Sequence, residues 1–359
     1  VPRLRASDAS RFPSDAPLVS ILVPARNEAS RILEEALRSL VEQDYPNIEV
    51  VVVDDRSTDG TLEILEAVAR TEPRVRVVRG APRPTGWSGK VWALDQAKRR
   101  SRGTWLLATD ADVVFEPTAV RAAMSAAFRG RLDAITLLPE VGTDSFWART
   151  VMPVAAWGIA MTIPIDKTND PASPVALGCG GFFLMRREAH DAAGGYEAIA
   201  GQVIDDVATA RALKASGARL RVENGEELLF TPMYASLSEV WHGFSKNAFA
   251  GANNSIVRAL ANSIAGLAAT QLPPLLALFG LVLWLGFGVA GAMPVALASS
   301  VAWGAMVAAF VPVYGALGGR LHYAMLASVA NLVLIAILVN SAYRTVSGRG
   351  VLWRGQHVV

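Results

Sequence analysis

Carboxylates dominate the residues that could do chemistry in this chain of 359 residues. Asp110-Ala111-Asp112 follows the apolar run Trp105–Ala108, which delivers two carboxylates to the mouth of a strand. Their oxygens suit a hard divalent cation, Mg2+ or Mn2+, which also binds phosphate oxygens; the competing reading is a loop with two solvated aspartates. Asp54-Asp55 ends another apolar run. An acid there can accept from the N–H of a base or from a ribose hydroxyl, while Thr58 or Asp59 is a natural cap for the helix that follows. Asp205-Asp206 opens the helix-like run Val207–Ser216. Paired carboxylates repel, so one can have a raised pKa and act as a base; equally, two acids can serve a helix N-terminus. Gly86-Trp87-Ser88-Gly89-Lys90 resembles a phosphate loop. The Walker spacing fails at two positions, where Pro84 replaces the first glycine and Val91 follows the lysine. A glycine turn presenting Lys90 to a diphosphate remains, against an ordinary turn. Gly178-Cys179-Gly180-Gly181 allows close backbone approach to a ligand, with Cys179 read as packing rather than nucleophile.

Strands and helices must bring these groups together. Val19–Val23, Val50–Val53, Val75–Val78 and Trp105–Ala108 are short apolar runs of the kind that form buried strands. Between them, Glu28–Glu42 has helical periodicity and Thr61–Arg70 follows a Thr-Asp-Gly start. Alternation of strands and amphipathic helices predicts a largely parallel sheet with helices on both faces. Ligands bind such sheets outside the carboxyl ends of the strands. Arg26-Asn27-Glu28, Asp54-Asp55 and Asp110-Ala111-Asp112 all fall at those ends.

Charge is distributed unevenly. Charged residues make up 18% and apolar residues 52%, which excludes a disordered chain. A net charge of +2 excludes a nucleic-acid-binding polycation, and one cysteine excludes an internal disulfide. From Ala259 to Tyr343 the only charged side chain is Arg320. Gly291–Pro294 and Gly318–Arg320 divide this part into stretches at roughly 266–290, 294–317 and 321–342, each long enough to cross a bilayer as a helix. Pro273-Pro274 kinks the first stretch or marks its start. Lys246 and Arg258 precede the first stretch, and Arg344, Arg349 and Arg354 follow the last. Both flanks therefore read as cytoplasmic, although three crossings would separate them. Either one stretch does not cross, or the rule fails at one end. Val1–Pro17 has no signal-peptide pattern, and a segment ahead of Val1 is an open expectation. Phe146–Ile165 and Ser238–Ala252 combine apolar and aromatic residues, the second with His242 and Lys246, as at a membrane–water interface.

The order of motifs resembles the family-2 glycosyltransferases over roughly residues 18–250. The matching elements are Val-Pro-Ala-Arg-Asn-Glu at 23–28, Val-Val-Asp-Asp-Arg-Ser-Thr-Asp-Gly-Thr at 52–61, Asp110-Ala111-Asp112 and Asp205-Asp206. The apolar tail, Gly86–Lys90 and Trp241-His242-Gly243-Phe244-Ser245-Lys246-Asn247 look most like the hopene-associated and carotenoid glycosyltransferases. The resemblance implies an α/β, Rossmann-like GT-A domain at 18–237 after a polar segment 1–17. It is followed by an interfacial amphipathic segment 238–265, about three transmembrane helices over 266–342 and a basic tail 343–359. It implies roles as well. Pro24, Ala25 and Glu28 would line the nucleotide pocket, Asp55 would hold a uracil-type base, Lys90 would lie near the base or diphosphate, and Lys246 would neutralise the diphosphate. Asp110 and Asp112 would face the sugar nucleotide, with Asp112 the main ligand of Mg2+ or Mn2+. Asp206 would be the base beside Asp205, while Gly180, Gly181 and Trp241 would border the acceptor. The Gln/Arg-x-x-Arg-Trp motif of processive synthases is missing. The implied activity is inverting transfer from a nucleotide sugar, UDP-linked, to a hopanoid, carotenoid, polyprenyl or sphingolipid acceptor. The expected place is a bacterial-type inner membrane with the catalytic domain facing the cytoplasm. A processive polysaccharide synthase and a membrane nucleotide hydrolase are the alternatives.

Overall fold

A computed structural model describes residues 1–316, 320–353 and 356–358. Gly318 and Arg354, invoked above as a break and a basic flank, lie outside the described residues. The chain forms two compact units. One is Val1–Val141 with Thr162–Pro232, and the other is Gly142–Met161 with Met233–Val359. This differs from the expected boundaries in two ways. Residues 1–17 belong to the first unit, because Leu4 is buried in its core and its N–H donates to the Asn224 carbonyl at 2.9 Å. The helix Phe146–Thr162 leaves it, because Val151 and Val154 join the apolar core of the second unit.

The first unit is built on seven strands: β1 Val19–Ala25, β2 Ile48–Asp54, β3 Val75–Arg79, β4 Trp105–Ala108, β5 Ala134–Leu138, β6 Phe183–Arg186 and β7 Leu220–Asn224. Their order is β3-β2-β1-β4-β6-β5-β7. Only β6 runs antiparallel to its neighbours, β4 and β5. The sheet is sandwiched, which is why its strands read as unbroken apolar runs. Val50 and Val52 face one core with Leu33, Leu37 and Leu40. Val51 and Val53 face the other with Val91, Leu94 and Leu213. Each such side chain contributes roughly 1.5–3 kcal/mol of hydrophobic stabilisation. The carboxyl ends of β1, β2 and β4 lie side by side, with Ala25 opposite Asp54 and Leu22 opposite Ala108.

The expected helix Glu28–Glu42 is shorter, Leu33–Val41. The segment before it is taken by the neighbouring turn. Thr61 Oγ1 accepts from the N–H groups of Glu28 and Ala29 at 2.8 and 3.1 Å, and Asp59 accepts from Ala29 and Thr61. Asp59 thus ties two loops together, while Gly60 is the residue flanking the helix Thr61–Thr71.

The second unit is helical. Its helices are Phe146–Thr162, Leu237–Gly251, Ile256–Thr270, Leu272–Phe287, Ala292–Ala316 and Ala327–Val346, with a 3-10 turn at Leu321–Leu326. Two helices among the described residues are long and apolar enough to cross a membrane, Ala292–Gly315 and Leu321–Val346. The expected first span, 266–290, is not one helix. It breaks at Gln271, where Ile256–Thr270 and Leu272–Phe287 meet at 43°. Pro273 and Pro274 explain the break: they lack N–H donors, so they fit the first turn of a new helix and not the interior of a continuing one.

Candidate active site

The site grows from three places in the first unit. The helix Gly89–Arg100 starts at the cap Ser88 and carries Lys90 in its first turn. Asp110 follows β4, and the helix Asp205–Ala215 begins on the two acids themselves. Folding brings these three distant segments together. Lys90 Nζ lies 2.7 Å from Asp110 Oδ1 and 3.2 Å from Asp205 Oδ2. Asp206 turns toward the glycine segment, where the Gly180 N–H donates to its Oδ2 at 2.9 Å and the Val207 N–H to its Oδ1 at 2.8 Å. Gly180 stands at the centre. A Cβ there would lie 2.9 Å from Lys90 Nζ and 3.0 Å from Asp110 Oδ2, so no larger residue fits without moving the ion pair.

Electrostatics follow from this crowding. Burial and the Asp205 charge push Asp206 up to about 6, while Lys90 pulls it down. Burial works against the Lys90 charge, yet Asp110, Asp205 and Asp206 outweigh it and raise its pKa well above the ordinary value. Lys90 therefore stays a cation at neutral pH. Cys179, beside Gly180, has its thiol pushed up to about 12, first by burial and then by Asp206, which fits a packing role.

Asp112 has partners on other segments. Its carboxylate accepts from Arg31 at 2.5 Å, and its carbonyl accepts from the Thr231 hydroxyl at 3.3 Å. Asp55 is 4% exposed at the end of β2 and faces two guanidinium groups, Arg26 at 3.5 Å and Arg56 at 3.4 Å. Its N–H donates to the Ala25 carbonyl at 2.8 Å, which fixes it beside the Pro24-Ala25 end of β1. Glu28 follows on the loop held by Thr61. The structure thus joins Lys90, Asp110, Asp205, Asp206 and Gly180 in one cluster. Pro24, Ala25 and Asp55 share the neighbouring strand ends, and Gly181 carries its carbonyl to the Thr109 hydroxyl. Trp241 and Lys246 lie on the helix Leu237–Gly251 of the second unit.

Sequence reasoning missed Arg31 and Tyr196. Arg31 falls within the expected helix, but the observed helix starts only at Leu33, and the Arg31 guanidinium reaches Asp112 from the turn before it. Tyr196 lines the small cavity formed with Lys90, Asp205, Asp206 and Gly180. It is 2% exposed, and its hydroxyl has no hydrogen-bond partner among the described residues. No motif marks it.

A metal can be judged from the donor set. Among the described residues no group of three His, Cys, Asp or Glu side chains could hold an ion. Asp110 and Asp112 offer carboxylate oxygen alone, which fits a cation that completes its shell with substrate phosphate oxygens and water.

This combination of a parallel sheet, acids at its strand ends and a paired-acid helix start has relatives. Residues 20–194 match the family described as Glycosyl transferase family 2. That segment of the chain is thus similar to the family-2 glycosyltransferases. Over 184 residues it is 29% identical to the beta-monoglucosyldiacylglycerol synthase of Nostoc sp., a match covering 50% of this chain and 38% of that protein. It is 36% identical over 104 residues to the chondroitin synthase of Escherichia coli, covering 29% of this chain and 14% of that one. Among solved structures, the mannosyltransferase PcManGT from Pyrobaculum calidifontis, in complex with GDP-Man and Mn2+, shares the fold with a TM-score of 0.55 at 22% identity, covering 95% of this chain and 90% of that chain. The fold is accordingly a mixed α/β, Rossmann-like GT-A domain, followed by apolar helices. The chain spans about two fifths of the length of the first curated relatives it matches.

Proposed function

We propose that this protein transfers a sugar, with inversion, from a nucleotide sugar to a hydroxyl or carboxyl group of a membrane lipid. The observation that carries the reading is the Asp206 carboxylate, held by the Gly180 N–H beside the Lys90–Asp110 ion pair. Asp206 takes the acceptor proton as the acceptor oxygen bonds to the anomeric carbon. The bond from that carbon to the diphosphate oxygen breaks on the opposite face. Such help is typically worth about 10²–10⁴ in rate. A carboxylate pushed up to about 6 suits this work, being more basic than an ordinary aspartate yet mostly ionised at neutral pH. Lys90 keeps a fixed positive charge beside the acids and helps to offset the diphosphate.

Asp112 and Asp110 would hold Mg2+ or Mn2+. When bound, the ion offsets charge on the departing diphosphate. Asp55, Pro24, Ala25 and Glu28 form the strand-end rim that receives the nucleotide, read as uridine. Lys246 and Trp241 are assigned to diphosphate and acceptor. A lipid acceptor is supported by the apolar helices of the second unit and by the similarity to the Nostoc beta-monoglucosyldiacylglycerol synthase.

The test is transfer of labelled sugar from a panel of nucleotide sugars to lipid extracts, read by mass spectrometry. Asp206→Asn should lose at least a hundredfold in transfer while donor binding, measured by calorimetry with Mn2+, survives. Loss of donor binding in that variant would remove Asp206 as the base. Absence of transfer with every donor and lipid would remove the reading itself.

A further inference from the structure

The second unit contains a directional contradiction that decides how it meets a bilayer. Helices Ile256–Thr270 and Leu272–Phe287 follow one another with a 43° bend and so keep one overall sense. Leu272–Phe287 and Ala292–Ala316 form an antiparallel hairpin. Gly280 abuts Ala292 and Ala296, and Pro274 lines the same cleft as Trp303. Ile256–Thr270 is also antiparallel to Ala327–Val346. The Ser328 hydroxyl donates to the Thr270 carbonyl at 2.7 Å, and the Gln271 amide donates to the Ser328 carbonyl at 2.8 Å. Further along the pair, Gly266 abuts Asn331, and Ala259 packs with Leu338 and Ala342. Helices Ala292–Ala316 and Ala327–Val346 are both opposed to the bent pair, so they run in the same sense. Consecutive crossings of a bilayer must alternate in sense. These two helices are each long and apolar enough to cross, yet they cannot both be crossings in sequence.

Their side chains decide between them. The hairpin exposes apolar groups broadly, among them Leu275, Phe279, Leu285, Val295 and Val301, and it has no charged residue. Ala327–Val346 carries Ser328, Asn331, Asn340 and Ser341, and it lies along helices that bring Glu239, His242, Lys246 and Arg258. Ser341 donates to the Ser245 carbonyl and accepts from the Phe249 N–H.

We propose that the hairpin Leu272–Ala316 is the membrane-crossing element, two crossings with the turn 288–291 on the far side. On this assignment Ile256–Thr270, bent 43° away from the hairpin, and Ala327–Val346 beside it lean obliquely out of the near interface of the bilayer. The inference rests on the membrane reading above. The 25-residue helix Ala292–Ala316 is about 37 Å long and spans a ~30 Å core. Its 16-residue partner is about 24 Å long, which the bilayer meets by local thinning. The interfacial pair exposes apolar stripes at helical spacing, Val257, Leu260, Ile264 and Leu267 on one helix, Val329, Leu332 and Val339 on the other. The occupant of these faces is anionic lipid: Lys246, Arg258, Arg344 and Arg349 all flank the pair in sequence, and Arg258 and Arg344 adjoin the end where Ala259 packs with Ala342. Two crossings put the basic flanks on one side, as the positive-inside rule requires and three crossings forbid.

The experiment uses the full chain expressed in bacteria, with sealed right-side-out and inside-out vesicles and a membrane-impermeant maleimide. Gly251→Cys, Gly291→Cys and Ser347→Cys place thiols at exposed sites, with the unsubstituted chain as background. The expected result is labelling of the Gly251 and Ser347 variants from one face and of the Gly291 variant from the other. Labelling of the Gly251 and Ser347 variants from opposite faces would overturn the proposal. So would a Gly291 variant reached only from the Gly251 face. Release of the chain from vesicles by alkaline carbonate would remove the membrane reading as well, whereas a wrong pattern on a retained chain leaves the transfer reading standing.

Discussion

Asp206 and Gly180 form the tightest joint of the candidate site, and both can be tested one atom at a time. Asp206 is pushed up to about 6 by burial and by Asp205. As a base it must be ionised, so transfer should fall as pH drops through about 6; a rate flat from pH 7 to 5 would contradict the assignment. The sign for stability is the opposite. A carboxyl whose folded pKa is raised above the unfolded value of roughly 3.9 stabilises the fold most at low pH and loses that contribution as pH rises through about 6. Asp206→Asn should therefore be at least as stable as the parent at pH 7.5, with lost activity and an unchanged or raised melting temperature in calorimetry. Gly180→Ala should cost more than tenfold in turnover, since its Cβ would press on both Lys90 and Asp110 at 2.9–3.0 Å. Its far-UV circular dichroism should match the parent, and full activity in this variant would show the ion pair to be dispensable.

Elements explain which parts of the site could be read in advance. Val19–Val23, Val50–Val53 and Trp105–Ala108 were legible because runs buried on both faces need no periodicity to be seen. The acids at their ends were legible for the same reason, since a strand's carboxyl end fixes where its next residues point. Contacts across long sequence separation were not. Nothing local says that Lys90 meets Asp205, or that Thr61 holds the loop at Glu28. Nor does apolar composition reveal sense of direction, so three stretches looked alike until the bonds at Thr270 and Ser328 set one against another. The Thr61 joint has a measurable consequence. Thr61→Val keeps the shape but strips an acceptor from two N–H groups and a donor from Asp59. The cost should be about 1–3 kcal/mol in denaturant stability, together with a raised KM for the nucleotide sugar. An unchanged KM would separate this joint from the donor loop.

At the scale of the whole molecule, the membrane reading implies two units stabilised by different solvents. The first buries valine and leucine away from water on both sides of a sheet. The second leaves Leu275, Phe279, Leu285 and Val301 exposed, which on that reading lipid or detergent covers. Such a chain should not unfold in one step. In detergent, guanidinium should melt the α/β unit first, leaving helical circular dichroism from residues 233–346 after the sheet signal is gone. A single coincident transition by tryptophan fluorescence and circular dichroism would refute separate stabilisation.

The lone thiol at Cys179 carries a last consequence. With its pKa near 12, only on the order of one molecule in 10⁵ is a thiolate at neutral pH. Peroxide attacks thiolates, so the first rung to sulfenic acid is closed in the very glycine loop that bonds Asp206. Cys179 should therefore remain a free thiol through purification without reductant, as thiol titration with a maleimide in denaturant would read, a hardiness that comes from position.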